Sequence, residues 1–103
     1  MSTTRFDDRT VFITGAGSGV GRATAKRFAA EGARVFGIDV NADGVAETIA
    51  AVRLAGGTAD GGVCDVAALA SVKDAVARAV ATFGGLDVLV NAAGVGGFIR
   101  FEE

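Results

Sequence analysis

The chain has 103 residues, fewer than the ~150 of a typical domain, so one compact domain is the most it can hold. Hydrophobic residues make up 50% and charged residues 21%, with a mean hydropathy of +0.45, which excludes an intrinsically disordered chain. A formal charge of −2 and an isoelectric point near 5.0 leave no basic field, so neither nucleic acid nor an anionic membrane surface is expected as a partner.

The opening segment MSTTRFDDRT is polar and has no apolar core of the signal-peptide kind. Thr10 to Thr14 is β-branched and aromatic and ends at a glycine cluster, which reads as a buried strand. Val20 to Glu31 follows as an Ala-rich helix, with Val20, Thr24 and Phe28 spaced four apart and Gly32 where the helix stops. Arg34 to Asp39 is a second strand, and Val45, Ile49 and Val52 mark a second helix ending near Gly56 and Gly57. A third strand falls within Thr58 to Cys64, where Gly61 and Gly62 imply a bend or a close backbone approach. Leu69, Val72, Val76, Val80 and Phe83 trace one face of a third helix, and Asp87 to Asn91 is a fourth strand of the fully buried kind. Gly94 to Glu103 reads as glycine-rich and then irregular.

The order βαβαβαβ predicts an α/β fold with a parallel sheet, since each helix must carry the chain back across a right-handed crossover. A doubly wound sheet of strand order 3-2-1-4 has its ligand crevice at the carboxyl ends of strands one and four. Residues 1–103 are thus expected to form a single α/β domain with one ligand crevice.

The residue inventory narrows the chemistry. There is no His, Tyr, Trp or Pro, and only one Cys. A Ser-His-Asp triad, a Cys-His pair, a histidine metal site and a tyrosine acid are all excluded. Cys64 cannot form an internal disulfide, is expected to be a small buried hydrophobe, and fits a reducing, cytoplasmic setting.

Thr14 to Gly21 reads Thr-Gly-x-x-x-Gly-x-Gly between the first strand and the first helix. Free backbone N–H groups and the positive end of a helix dipole converge there, and glycines let a pyrophosphate approach the backbone. A phosphate loop of the Walker type is excluded, because no Gly-Lys-Ser/Thr follows. Asp39 ends the second strand 18 residues after Gly21, close to the ~20 at which a carboxylate meets the ribose hydroxyls of NAD and repels the 2′-phosphate of NADP.

These features resemble the N-terminal half of a short-chain dehydrogenase/reductase, which implies that residues 1–103 form a single, incomplete dinucleotide-binding domain of Rossmann type. The family's glycine turn is present as Thr14 to Gly21, its second-strand acid as Asp39, its Asp-Val after the third strand as Asp65-Val66, and its Asn-Asn-Ala-Gly as Asn91-Ala92-Ala93-Gly94. Ala92 departs from the family's second Asn. Ser18 and Val40 stand where NADP-preferring members often carry a basic residue, which agrees with NAD. The resemblance implies that Gly15, Ser18, Gly19 and Val20 form the pyrophosphate turn. It implies that Asp65 bonds the adenine amino group, Val66 packs on the ring, and Asn91, Ala93 and Gly94 line the ribose side. Asp65 has a rival reading as a helix N-cap, and Asn91 as a polar tie between strands.

The family's reaction is hydride transfer between nicotinamide and a carbonyl or alcohol carbon, assisted by Ser, Tyr and Lys. No catalytic residue carries over: the chain lacks Tyr, and its only lysines, Lys26 and Lys73, fall on helices of the cofactor-binding half. The expectation is therefore an NAD(H)-binding portion that is inactive alone and meets its substrate only in a full-length form. The alternatives are a standalone NAD-binding module without catalysis and a fold binding S-adenosylmethionine, against which Thr14 speaks. With nothing beyond it, the fourth strand would leave an open apolar edge prone to self-association.

Overall fold

The computed structural model describes residues 6–65, 68–92 and 98–100, the last three through their backbone. Its elements run β1 (Thr10–Thr14), α1 (Gly19–Ala30), β2 (Arg34–Asp39), α2 (Ala42–Leu54), β3 (Thr58–Val63), α3 (Leu69–Phe83), β4 (Val88–Asn91) and β5 (Phe98–Arg100). The first four strands are parallel in the order β3-β2-β1-β4, with Thr14 level with Ile38 on one side and Asn91 on the other. This is the Rossmann-like α/β sheet that the alternation of strand and helix predicts.

Alternate side chains feed two cores because a strand presents its neighbours to opposite faces. Val11, Ile13, Val35, Val88 and Val90 join Ala25 of α1 and Val45 and Val52 of α2 on one face. Phe12, Phe36, Ile38 and Cys64 meet Ala75 and Ala79 of α3 on the other. Phe12 and Phe36 stack with ring centroids 5.7 Å apart and 11° between planes. Such a pair contributes about 0.5–1.5 kcal/mol beyond the area it buries.

Two helical seams differ from the hydropathy pattern. On α1 the buried positions are Gly21 and Ala25, while Val20 is 62% exposed. On α3 they are Ala75 and Ala79, and Leu69 and Val80 face solvent. In both cases small residues let the helix approach the sheet closely, and Phe28 of α1 and Val72, Val76 and Phe83 of α3 pack half-buried against the cores beside them.

The glycines of β3 mark a close approach. Gly61 has φ of 143°, and a Cβ there would lie 1.8 Å from the Gly37 carbonyl oxygen of β2. Only glycine fits.

The segment expected to be irregular contains β5, which pairs antiparallel with β4 through Val88–Arg100, Leu89–Ile99 and Val90–Phe98. The outer edge of β4 is consequently covered, contrary to the open edge inferred from its apolar run. The backbone groups of β4 take a ladder from the same chain, and the strands at the edges of the sheet are β3 and β5. Among the described residues, no helix is long and apolar enough to cross a membrane.

Candidate functional site

The sheet topology gathers the sequence-predicted residues at one end. Gly15 follows β1, Ser18 caps α1, Gly19 and Val20 open that helix, Asp39 ends β2, Asp65 follows β3 and Asn91 ends β4. Val66, Ala93 and Gly94 lie outside the described residues.

The turn after β1 is built to present donors. Ser18 Oγ donates to the Gly15 carbonyl at 2.7 Å and accepts from the Gly21 amide at 3.0 Å. The Arg22 amide donates to the Ser18 carbonyl at 2.8 Å, the first full turn of α1. Gly19 and Val20 are the remaining first-turn donors, and their N–H groups have no acceptor among the described residues. No acidic side chain stands in the first turn, so α1 itself brings no carboxylate to the positive end of its dipole. A Cβ on Gly19 would meet nothing within 4 Å, so the start of α1 is open on that side. At Gly21 the opposite holds: a Cβ would sit 2.0 Å from the Gly15 carbonyl oxygen, so only glycine lets α1 start this close to the turn.

Asp39 is tied to the same turn. Its Oδ2 accepts from the Gly17 amide at 2.8 Å and its Oδ1 from the Asn41 amide at 3.0 Å. A carboxylate has about four lone-pair positions, so each oxygen keeps one for a further donor such as a hydroxyl. The neighbouring Val40 is exposed and brings no positive charge. Arg22, the cation on the first turns of α1, is occupied by Thr48 Oγ1 at 3.1 Å, the Gly44 carbonyl at 3.3 Å and Glu47 at 3.4 Å.

Across the crevice, Thr14 Oγ1 donates to Asn91 Oδ1 at 2.9 Å, which joins the ends of β1 and β4. Asn91 thus ties neighbouring strands, as its rival reading held. Asp65 does not cap α3: the cap residue is Ala68, without a side-chain bond. Asp65 is exposed and, with Cys64, Ser71, Asp74 and Arg78, lines a cavity of about 250 Å³ beside the end of β3. Burial pushes the Cys64 thiol pKa above its ordinary value, Asp65 and Asp74 push it further, and Arg78 opposes them. Among the described residues there is no cluster of His, Cys, Asp and Glu able to hold a metal ion.

Three contributors were missed in the sequence. Gly17 supplies the donor to Asp39, Thr48 supplies a hydroxyl to the Ala16 carbonyl at 2.7 Å, and Arg22 donates to that hydroxyl. Only the conformational role of Gly17 could have been suspected, from its place in the glycine cluster. The contacts of the other two span 32 and 26 residues.

The chain is 53% identical over 83 residues to the short-chain reductase protein NovJ of Streptomyces niveus, covering 81% of this chain and 32% of that protein. It is 46% identical over 101 residues to D-threitol dehydrogenase of Mycolicibacterium smegmatis, covering 96% and 38%. The crystal structure of NAD+-bound xylitol dehydrogenase superposes with a TM-score of 0.80 at 36% identity, covering 82% of this chain and 33% of that one. The chain spans about a third of the length of the curated relatives it matches. A family model described as short chain dehydrogenase matches residues 9–103, and the chain belongs to that family.

Proposed function

We propose that this chain is the NAD(H)-binding portion of a short-chain oxidoreductase, with residues 1–103 forming one dinucleotide-binding unit. The observation that carries the reading is the convergence of the unpartnered Gly19 and Val20 amides with the Asp39 carboxylate, joined through the Gly17 amide. Two free donors at a helix N-terminus suit a pyrophosphate, and a carboxylate with free lone pairs suits a ribose diol.

When bound, the nicotinamide supplies or accepts the hydride exchanged with a carbonyl or alcohol carbon. The chain's own residues bind and orient. Gly15, Ser18, Gly19 and Val20 hold the pyrophosphate. Asp39 accepts from the adenosine ribose 2′- and 3′-hydroxyls and repels a 2′-phosphate, so NAD is preferred to NADP. Asp65 accepts from the adenine amino group beside Val66, while Asn91, Ala93 and Gly94 line the ribose side. These residues hold and move no proton in the reaction, and the chain contains no Tyr. By itself it binds cofactor without turnover, and a small-molecule carbonyl or alcohol substrate is met only in a full-length form. The single buried Cys64 suits a reducing, cytoplasmic setting.

Calorimetric titration with NADH, NADPH and S-adenosylmethionine tests the reading. NADH is expected to bind tightest of the three. A preference for S-adenosylmethionine, or binding of none, overturns it.

A further inference from the structure

The peptide linking Ala16 to Gly17 is held at both of its polar ends by elements distant in sequence. Its carbonyl accepts from Thr48 Oγ1 of α2 at 2.7 Å, and its N–H donates to Asp39 Oδ2 of β2 at 2.8 Å. The Thr48 hydroxyl has one proton and two carbonyls in reach. Ala16 at 2.7 Å is closer than Gly44, one turn back in α2, at 3.1 Å, so the proton goes to the turn. Arg22 Nε donates to the same hydroxyl at 3.1 Å, and a cationic donor behind a hydroxyl strengthens the bond it makes. Thr48 is 2% exposed and Ala16 fully buried, so water cannot replace this contact.

We propose that Thr48, driven by Arg22, is a positioning residue for the pyrophosphate turn. It holds the Ala16–Gly17 peptide plane in the one orientation that lets Gly17 reach Asp39 and sets Ser18 at the head of α1. The Gly19 and Val20 amides are then in place before any ligand arrives. The proposal rests on the NAD reading for its ligand but not for its geometry. Without the hydroxyl, a buried carbonyl loses its donor and the peptide rotates among several orientations. Apparent phosphate affinity then falls by the fraction of time the competent orientation is lost.

The test uses Thr48→Val, which keeps the shape and removes the hydroxyl, and Thr48→Ser, which restores it. Titrations employ NADH and adenosine, the latter reaching Asp39 without touching the phosphate turn, and hydrogen exchange follows the Gly17 amide. In Thr48→Val, NADH affinity is expected to fall about tenfold while adenosine, whose partner Asp39 keeps its bond from the Asn41 amide, loses markedly less, and Gly17 exchange accelerates by about the factor lost for NADH. Thr48→Ser returns both to wild type. Equal losses for NADH and adenosine, or unchanged Gly17 exchange, overturn the proposal. Should Thr48→Val fail to fold, Arg22→Met is expected to shift both readouts the same way by a smaller factor, and no shift overturns it. A wild-type chain that binds neither NADH nor adenosine refutes the NAD reading instead, and the Gly17 exchange then decides the positioning role alone.

Discussion

Replacing Asp39 with asparagine separates charge from shape at the point where the turn and the second strand meet. In the native chain, two carboxylate oxygens each hold one backbone amide, Gly17 at 2.8 Å and Asn41 at 3.0 Å. Asparagine offers one acceptor oxygen, so one amide faces an NH2 group. The Gly17 bond is partly buried and the Asn41 bond exposed, so the oxygen turns to Gly17 and water takes the other amide. Losing one bond and the charge on the second costs about 1–2 kcal/mol, since bonds to charged groups are worth about 1.5–3 kcal/mol when buried and less where water competes. At about 4–8 °C per kcal/mol for a domain near this size, Tm drops by about 4–16 °C. The same change removes a charge facing the 2′-position. Like charges about 4 Å apart repel by about 1–4 kcal/mol between water and a surface-like dielectric. The preference for NADH over NADPH should therefore narrow about tenfold or more. Differential scanning calorimetry measures the first effect and paired titrations the second. An unchanged cofactor ratio would show that Asp39 is not the selector, and an unchanged Tm that it does not brace the turn.

Asp39→Ala is expected to weaken NADH binding with a smaller penalty for NADPH; equal losses for both cofactors would count against ribose contact. Gly21→Ala would set a methyl 2.0 Å from the Gly15 carbonyl oxygen and 2.8 Å from Ala16 Cα, both backbone atoms that cannot rotate aside. The expected loss is about 3 kcal/mol, outweighing the ~1 kcal/mol that alanine gains over glycine in a helix, and a rise in the urea midpoint would refute it. Cys64 keeps its proton to higher pH in the folded chain than at its ordinary value of 9.0. Its contribution to stability is present below that value and lost as the pH rises through the folded pKa. Alkaline urea titrations should show a decline that Cys64→Ala flattens, and identical slopes in the two chains would refute it.

The parallel strands were readable because their apolar runs, Thr10 to Thr14 above all, are bounded by glycines and end at the same chemical features. The helical seams were harder. Hydropathy weights Val20, Leu69 and Val80, whereas packing against the sheet selects Gly21, Ala25, Ala75 and Ala79 for their size. The third strand survived its glycines because Gly61 is required where β2 and β3 touch, a contact invisible in one dimension. β5 has only three residues, too few to show a period, and what defines it is its antiparallel pairing with β4. At the site, the glycine turn and Asp39 were legible from spacing, and their connection through Gly17 was not. Thr48 looked like one more polar position on a helix, and only the folded chain brings it to Ala16.

The central position of β1 has a consequence for how the chain acquires its shape. The Thr10 amide donates to Asp87 Oδ2 at 2.8 Å, across 77 residues, whereas the pairing with β2 joins much nearer neighbours. During synthesis β1, α1, β2, α2 and β3 can assemble while β4 is still to be made, because short loops close with less entropy loss than long ones. Until β4 arrives, one flank of β1 is an unfilled slot of fixed register that fits Val88 to Asn91 of any copy of this chain. Crowded ribosomes translating one message would therefore be the setting in which strand exchange between copies competes with correct folding, and slowing translation before Val88 would widen that window.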